Sequence, residues 1–292
     1  MNLRTGAAAL APLVALLLVA VPACRGEGPP RAEPTPPATS HPVTPGPPSS
    51  PPVAPPPTGL PSPPVPSRRP PGPPPAPAVP PHLAGLDLEV MPTDRKVVAL
   101  TFDAGANADA VASILATLRA EGVPGTFFLT GTFIESFPAA TRSIVDAGHR
   151  VGNHSTTHPH FTSLSAGQVH DEVRATERAL RRDFGTEPRP WFRFPYGDRD
   201  ARTIAVLNDL GYVPVRWTVD TLGWQGTSGG RSVASVTARV LDTARPGQIV
   251  LMHVGSHPTD GSMLDAQALP GVIAGLRAEG YGFATLDALL SP

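Results

Sequence analysis

The stretch KVVALTFDAG, residues 96 to 105, has the composition of a buried strand that ends at a polar rim. Its β-branched and aromatic residues favour extended backbone, and the run closes on Asp103 and Gly105. A carboxylate in that position either caps the helix that follows or brings a reactive group to the end of the strand. The rest of the sequence decides between these two roles.

Strand-like runs of the same kind recur along the chain: GTFFLTG, HRVGNHS, WFRFPYG, YVPVRWTVD, QIVLMHVG and YGFATL. Six segments with apolar residues at helical spacing lie between them: ADAVASILATLRAEG, FPAATRSIVDAG, SAGQVHDEVRATERALRRDFG, ARTIAVLNDLG, SVASVTARVLDTARPG and DAQALPGVIAGLRAEG. Alternating strands and helices predict an α/β fold, here a single distorted (β/α) barrel of about seven parallel strands. Reactive groups of such folds gather at the carboxyl ends of the strands.

Polar residues do stand at the predicted strand ends. Asp103 ends the first strand, His154 the third, Arg193 to Gly197 the fourth, Asp220 the fifth and His253 the sixth. An arginine in an otherwise apolar strand needs a carboxylate partner. A lone histidine in an apolar strand is more often a core residue than a catalyst, so His253 becomes a candidate only through its neighbours.

The stretch VGNHSTTHPH, residues 151 to 160, is rich in histidine in a chain that has only 9 in all. His154 and His158 are four residues apart, which lets both imidazoles face one metal ion. His160 follows Pro159 and is expected to point elsewhere. The spacing alone is a weak signal, and the other strand-end groups strengthen it.

Five motifs in order make this part of the chain resemble the polysaccharide deacetylase family, the NodB-homology carbohydrate esterases. They are TFDAG at 101 to 105, HSTTH at 154 to 158, RFPYG at 193 to 197, WTVDTLGW at 217 to 224 and LMH at 251 to 253. The resemblance implies a metal-dependent hydrolase that removes N-acetyl groups from amino sugars of an envelope polysaccharide. Peptidoglycan fits best as the N-acetylated substrate.

The resemblance also implies a role for each matching residue. His154 and His158 would hold a divalent metal, zinc by its ligand type. Asp103 would be the general base, Arg193 would orient and charge-balance it, and His253 would be the general acid. The matching substrate-binding residues are Pro195, Tyr196, Trp224 and Leu251. Among them, the backbone N–H of Tyr196 would help to stabilise the oxyanion, and Trp224 and Leu251 would accept the acetyl methyl group.

Two departures from the family pattern bear on the site. Ala104 stands where the family has a third metal ligand, so Asn107, Asp109 or water must complete the coordination. Gly223 stands where the family has the aspartate that tunes the catalytic histidine, and Asp220 is the candidate to replace it.

The N-terminal part of the chain has a different composition. Residues 1 to 24 combine one arginine, an apolar run and the sequence VPAC, which predicts a signal peptide of the lipoprotein type with lipid attached at Cys24. Plain signal cleavage and an uncleaved membrane anchor remain alternatives. Most of the 40 prolines fall in residues 25 to 83, which predicts an extended or disordered linker. Residues 84 to 292 are the predicted deacetylase domain.

The charge balance argues against a nucleic-acid partner, and the cysteine content limits the possible disulfides. The 23 Lys and Arg nearly balance the 24 Asp and Glu, which gives no electrostatic footprint for nucleic acid. The single cysteine excludes a disulfide within the chain. We expect an exported monomer, on the outer face of the cytoplasmic membrane or in the cell wall, that meets the membrane only through its N-terminal lipid or signal anchor.

Two other functions stay open at this point. The same site could remove O-acetyl groups from an acetylated polymer such as xylan. A catalytically impaired wall-binding lipoprotein is the non-enzyme alternative, and Ala104 and Gly223 favour it.

Overall fold

The computed structural model describes residues 79 to 290. The predicted signal peptide with Cys24, and the predicted linker as far as residue 78, lie outside the described residues. At the end of that linker, Pro81–Leu83 forms a short 3-10 turn and the side chain of Leu83 is buried. The packed part of the chain therefore begins a few residues before the predicted boundary at residue 84.

The described residues form eight strands and seven helices, which alternate except that α3 follows α2 and β6 follows β5 directly. The strands are β1 (Val97–Ala104), β2 (Gly125–Leu129), β3 (Arg150–Asn153), β4 (Trp191–Phe192), β5 (Val213–Pro214), β6 (Val219–Asp220), β7 (Gln248–His253) and β8 (Gly282–Phe283). The helices are α1 (Val111–Glu121), α2 (Gly131–Ser136), α3 (Pro138–Asp146), α4 (Ala166–Phe184), α5 (Ala201–Asp209), α6 (Val233–Leu241) and α7 (Leu264–Ala278).

All named strand pairs are parallel, in the order β5-β4-β3-β2-β1-β7-β6, and β8 pairs with β1. The predicted α/β class and distorted barrel of parallel strands are confirmed. Strand β1 pairs with three strands, β2, β7 and β8, and successive residues of it face opposite sides. Phe102 packs in the helix-covered layer, where its ring stacks on Phe127 with 4.8 Å between centroids.

The prediction of one strand over YVPVRWTVD was wrong. The structure has two short strands there, β5 and β6, which lie at opposite ends of the sheet order. The chain between them therefore crosses the gap through which the barrel would have to close. Helix α2 was also missed, because its six residues are too few to show a helical period.

The N-terminal segment of the described residues helps to bridge that gap. Leu88 pairs with Val215 just after β5, and Val90 pairs with Gln248 at the start of β7. The side chains of Leu83, Leu88 and Met91 are buried in one apolar cluster with residues of the strands, such as Ala99 and Ile249. Residues 83 to 91 thus fill the end of the barrel where the strands begin. No helix among residues 79 to 290 is long and apolar enough to cross a membrane.

Candidate active site

A pocket of about 630 Å³ opens at the carboxyl ends of the strands, within the size range of small-ligand sites. Its lining consists of Asp103, Gly105, Ala106, Thr132, His154, Thr157, His158, Phe194, Tyr196, Trp217, Asp220, Trp224, Leu251 and His253. Most of the residues predicted from the sequence are therefore brought together. Asp103 and His253 are register partners on the neighbouring strands β1 and β7.

A buried ion pair fixes the charge of Asp103. The Arg193 guanidinium donates from Nη1 to Asp103 Oδ1 at 2.7 Å, and both residues are buried. Burial raises the pKa of Asp103, but the charge and hydrogen bond of Arg193, with further effects from His154 and His253, together outweigh it, and the pKa lies below its ordinary value. Asp103 is therefore a carboxylate at neutral pH. The carboxylate partner that the sequence analysis required for Arg193 is Asp103.

Arg193 also completes the barrel where strand hydrogen bonds are missing. Its Nε donates to the Val215 carbonyl at 3.2 Å and its Nη2 to the Arg216 carbonyl at 3.0 Å, both in the segment between β5 and β6. Nη2 also donates to Thr101 Oγ1 at 2.9 Å, and the guanidinium lies 4.2 Å from the centre of the Phe128 ring. The side chain is fully buried, so these bonds satisfy donors that water cannot reach.

His154 presents one nitrogen to the pocket. Its Nδ1 donates to the Arg193 carbonyl at 2.8 Å, which leaves Nε2 as the acceptor, 3.3 Å from Asp103 Oδ2. Burial lowers the pKa of His154, so the ring is neutral and two acceptor atoms face each other. Two acceptor atoms this close are suited to a cation that lies between them or beside them. The carbonyl partner on Nδ1 is the second-shell contact that metal-binding histidines usually have.

His158 lies beside His154, with 4.8 Å between ring centroids. Burial, together with the nearby His154, lowers the pKa of His158 to about 4, so this imidazole is also neutral at pH 7. Its backbone is left-handed, with φ of 60°, as is that of Ser155 with φ of 67°. Such backbone is costly for these residue types, and functional sites often contain it.

Glu172 of α4 holds the loop that carries His158, a role that the sequence analysis missed. Its Oε2 accepts the N–H groups of Thr156 and Thr157, both at 2.8 Å, and its Oε1 accepts the Thr157 hydroxyl at 2.7 Å. Gly131 lets the start of α2 approach the same loop, since a Cβ there would lie 2.8 Å from the Thr156 side chain. The loop is therefore braced from two helices.

The third metal ligand is not supplied by the residues that the sequence suggested. Ala104 has no exposed surface and packs in the apolar layer between sheet and helices. The Asn107 amide bonds to both backbone groups of Ser256, and Asp109 Oδ2 accepts the Ser256 hydroxyl, so both candidates brace that loop. Within residues 79 to 290 there is no cluster of three His, Cys, Asp or Glu side chains suited to a metal. The pocket therefore offers a metal ion two imidazoles, with the remaining coordination positions open to water or substrate.

His253 is charged more readily than a free histidine. Burial lowers its pKa, but the carboxylate of Asp265 outweighs this, with smaller effects from Asp103 and Asp220, and the pKa lies above its ordinary value. Asp265 Oδ2 lies 3.7 Å from His253 Nδ1 and accepts the backbone N–H of His253 at 2.9 Å. Asp265 was not among the predicted site residues. A lone acid in the first turn of the apolar helix α7 was the available signal.

Asp220, the predicted replacement for the family's aspartate, has other partners. Its Oδ1 accepts the Leu222 N–H at 2.8 Å and its Oδ2 accepts the Trp224 indole N–H at 3.3 Å. It therefore supports the loop that carries Trp224, and its effect on the pKa of His253 is smaller than that of Asp265.

Aromatic side chains form the rim of the pocket. Tyr196 is 63% exposed and Trp224 is 49% exposed, which is unusual for such large apolar groups. The Tyr196 ring stacks on His160 at 4.3 Å and meets the edge of His158 at 4.5 Å. His160 thus supports the rim without lining the pocket. Leu251 lines the pocket, as predicted.

The remaining predicted substrate-binding residue, Pro195, is placed differently. It is buried and does not line the pocket, whereas its neighbour Phe194 does. Pro195 begins the short 3-10 turn Pro195–Gly197, in which Tyr196 takes the left-handed conformation with φ of 58°. Its contribution is to set the position of Tyr196. The direct contacts with the pocket fall to its two neighbours, Phe194 and Tyr196.

Comparison with known proteins agrees with this geometry. A model of the polysaccharide deacetylase family matches residues 91 to 215. The peptidoglycan-N-acetylglucosamine deacetylase of Bacillus cereus is 32% identical over 198 residues, which are 68% of this chain and 70% of that protein. A peptidoglycan-N-acetylglucosamine deacetylase of Listeria monocytogenes is 34% identical over 195 residues, 67% of this chain but only 39% of that longer protein.

Among solved structures, the chain resembles a CE4 family pseudoenzyme of Bacillus anthracis in a mutant form with restored enzymatic activity. The identity is 30%, the match covers 72% of each chain, and the TM-score is 0.65. The sequence motifs, the barrel of parallel strands and these relatives lead to one conclusion. The chain belongs to the polysaccharide deacetylase family.

Proposed function

We propose that this protein is a metal-dependent hydrolase that removes N-acetyl groups from the amino sugars of peptidoglycan. The observation that carries the proposal is the pairing of Asp103 and His253 at one register position with opposite charge states. Arg193 favours the ionised form of Asp103, and Asp265 favours the protonated form of His253. Hydrolysis of an amide needs such a pair, because one group must accept a proton and the other must donate one.

We further propose that His154 and His158 hold the metal, and that it is zinc. Neutral imidazoles are preferred zinc ligands, and the Arg193 carbonyl already orients His154 for the task. When bound, a divalent metal supplies a Lewis acid that polarises the acetyl carbonyl and makes a coordinated water more acidic. With two protein ligands instead of the usual three, the metal is expected to be held less tightly than in family members that keep an aspartate at the position of Ala104.

The side chains then divide the reaction between them. Asp103 accepts the proton of the attacking water as the oxygen bonds to the acetyl carbon. His253 gives a proton to the sugar nitrogen as the carbon–nitrogen bond breaks. The products are acetate and a free amino sugar. The Tyr196 N–H is assigned to the developing negative charge on the carbonyl oxygen, as the family resemblance implies.

The rim residues suit a sugar polymer. Exposed aromatic rings such as Tyr196 and Trp224 offer flat apolar faces for sugar rings, and the pocket is open to a long substrate. Trp224 and Leu251 line the pocket and are assigned to the acetyl methyl group, as the family resemblance implies. Both named relatives are peptidoglycan-N-acetylglucosamine deacetylases, which supports peptidoglycan as the substrate.

We propose that the protein is exported and held at the outer face of the cytoplasmic membrane through lipid on Cys24. The sequence of residues 1 to 24 supports this proposal, and so does the peptidoglycan named as the substrate of a relative. Replacing Cys24 with alanine should move the protein from the membrane fraction to the soluble fraction. If the variant stays in the membrane with its apolar segment uncleaved, the anchor is that segment.

A second function has its own support. Ala104 removes a ligand, and one structural relative is a pseudoenzyme. A wall-binding protein with impaired catalysis is therefore the competing proposal. It predicts binding to peptidoglycan without release of acetate.

One experiment separates the two functions. The purified protein is incubated with peptidoglycan and with N-acetylglucosamine oligomers, with zinc or cobalt added or removed by a chelator, and free acetate is measured. Metal-dependent acetate release supports the deacetylase. Wall binding without acetate at any metal concentration supports the impaired protein and overturns the deacetylase.

A further inference from the structure

The structure assigns Asp265 as the positioning residue of His253, in the place that a side chain at residue 223 would otherwise occupy. The inference rests on the proposed function insofar as His253 is the proton donor. It concerns a residue on helix α7, outside the five sequence motifs that mark the family.

Two strong hydrogen bonds fix the Asp265 carboxylate. Oδ1 accepts the Thr221 hydroxyl at 2.6 Å, and Oδ2 accepts the His253 backbone N–H at 2.9 Å. The residue is only 4% exposed, and it lies in the first turn of the 15-residue helix α7, where the helix dipole favours a negative charge. The carboxylate is therefore held in a fixed position beside His253.

The same carboxylate faces the His253 ring. Oδ2 is 3.7 Å from Nδ1, and within the described part of the chain this buried nitrogen has no hydrogen-bond partner. A modest rotation of the imidazole would bring the two atoms into hydrogen-bonding distance and leave Nε2 for the substrate. Asp265 thus orients the ring and favours its charged form.

Gly223 leaves the space that the Asp265 carboxylate occupies. A Cβ atom at Gly223 would lie 2.6 Å from Asp265 Cγ and closer still to Oδ1. Two buried hydrogen bonds hold that carboxylate, so it cannot move aside cheaply. A side chain at residue 223 and the present position of Asp265 exclude each other. The present position of Asp265 therefore requires glycine at residue 223. The carboxylate beside His253 comes from helix α7 instead of from the loop that carries Gly223.

Other ionisable groups act on His253 from neighbouring elements. Asp103 from β1 and Asp220 from β6 favour its charged form, and the imidazoles of His154 and His158 lie near enough to interact with it. Asp265 has the largest effect of the acidic groups and is the one that also bonds to the His253 backbone.

The test compares variants of the full chain in acetate release from N-acetylglucosamine oligomers with zinc present. Asp265→Asn keeps the shape and can still accept the Thr221 hydroxyl, but it removes the charge and the acceptor for the His253 N–H, so kcat should fall about tenfold or more with little change in KM. Its alkaline limb should move to lower pH, because His253 would lose its proton sooner. Gly223→Ala should cause the same change by displacing the carboxylate.

A matched control lies in the same helix. A Cβ at Gly271 of α7 would meet Thr237 at 3.6 Å, an ordinary contact, so Gly271→Ala should leave kcat and the pH profile unchanged. The double variant Gly223→Asp with Asp265→Ala returns a carboxylate to the vacated space and should recover activity relative to Asp265→Ala alone. An unchanged pH limb in Asp265→Asn, or no recovery in the double variant, overturns the inference.

NMR titration of His253 in the metal-free protein separates this inference from the proposed function. The His253 resonance is assigned by comparison with His253→Ala. Its pKa should be above the ordinary histidine value in the unaltered protein and lower in Asp265→Asn. If acetate release is absent throughout but this difference is found, the deacetylase proposal fails and the Asp265 assignment stands. An equal pKa in both proteins overturns the assignment whatever the activity.

Discussion

Asp103 and His253 lie side by side in the structure, as register partners on adjacent parallel strands. Their side chains therefore leave the sheet on the same face and reach the same pocket. The two groups have opposite shifts in pKa, downward for Asp103 and upward for His253. The sheet itself sets their separation, which makes the pair insensitive to loop movement.

The first prediction concerns pH. Turnover needs Asp103 ionised, which holds above its lowered pKa, and His253 protonated, which holds below its raised pKa. The profile of kcat/KM should therefore be bell-shaped, with its alkaline limb above the ordinary pKa of histidine. His253→Ala should lower kcat by about 100-fold or more and remove that limb. If His253→Ala keeps the alkaline limb, a group other than His253 causes that limb.

The second prediction separates charge from shape at Asp103. Asp103→Asn keeps the size of the side chain but cannot accept the proton, so deacetylation should fall by about 100-fold or more. The change also leaves Arg193 buried without its charged partner, which should lower the free energy of unfolding by about 3 kcal/mol. Denaturant unfolding measures that loss, and activity is then compared only where the variant is fully folded. Wild-type turnover in the folded variant would remove Asp103 from the reaction.

The third prediction tests the metal ligands. His154→Ala combined with His158→Ala should abolish zinc binding, measured by calorimetry and by metal content after dialysis. His160→Ala is the matched control, because His160 stacks on Tyr196 without lining the pocket, and it should bind zinc as before. Stoichiometric zinc in the double variant would place the metal elsewhere.

The fourth prediction concerns the buried Ala104. Ala104→Asp should raise zinc affinity by adding a ligand, yet destabilise the metal-free protein, because the residue packs in an apolar layer. Thermal unfolding with and without zinc measures both effects. Zinc should recover more stability in the variant than in the unaltered protein. Equal gains in the two proteins would mean that the new carboxylate does not reach the metal.

The fifth prediction concerns the segment that fills the end of the barrel. A chain that begins at residue 79 should fold and deacetylate soluble oligomers like the full chain. A chain that begins at residue 92 loses the buried side chains of Leu83, Leu88 and Met91, each worth about 2 to 5 kcal/mol, and should not fold stably. Circular dichroism during heating compares the two. A cooperative transition in the shorter chain would show that the segment is dispensable.

Sequence reasoning reached the fold and the central groups because both follow from local patterns. Strand-like runs alternate with helical ones, and parallel strands all end at one rim, so Asp103, His154, Arg193 and His253 could be placed together in advance. Comparison with relatives confirms the family, and the roles of the individual residues stay predictions for the experiments above.

The missed features depend on contacts between distant parts of the chain. Glu172 looks like an ordinary solvent-facing acid of an amphipathic helix, and only the fold shows that it holds the loop of His158. The sequence YVPVRWTVD did not predict that it forms two strands, β5 and β6, because the break between them arises where the two ends of the sheet meet. The position of Asp265 likewise depends on how α7 packs on the loop at Gly223.

The bonds of Arg193 have a consequence for the evolution of this fold. One guanidinium both holds the charge of Asp103 and satisfies the carbonyls of Val215 and Arg216 in the open seam of the barrel. A descendant that no longer needed catalysis would still need that seam closed. Selection for a folded chain would then preserve Arg193, and Asp103 as its counter-charge, long after the reaction had been lost. The presence of those two residues would then report on folding, and inactive descendants should lose His253 and the metal ligands first.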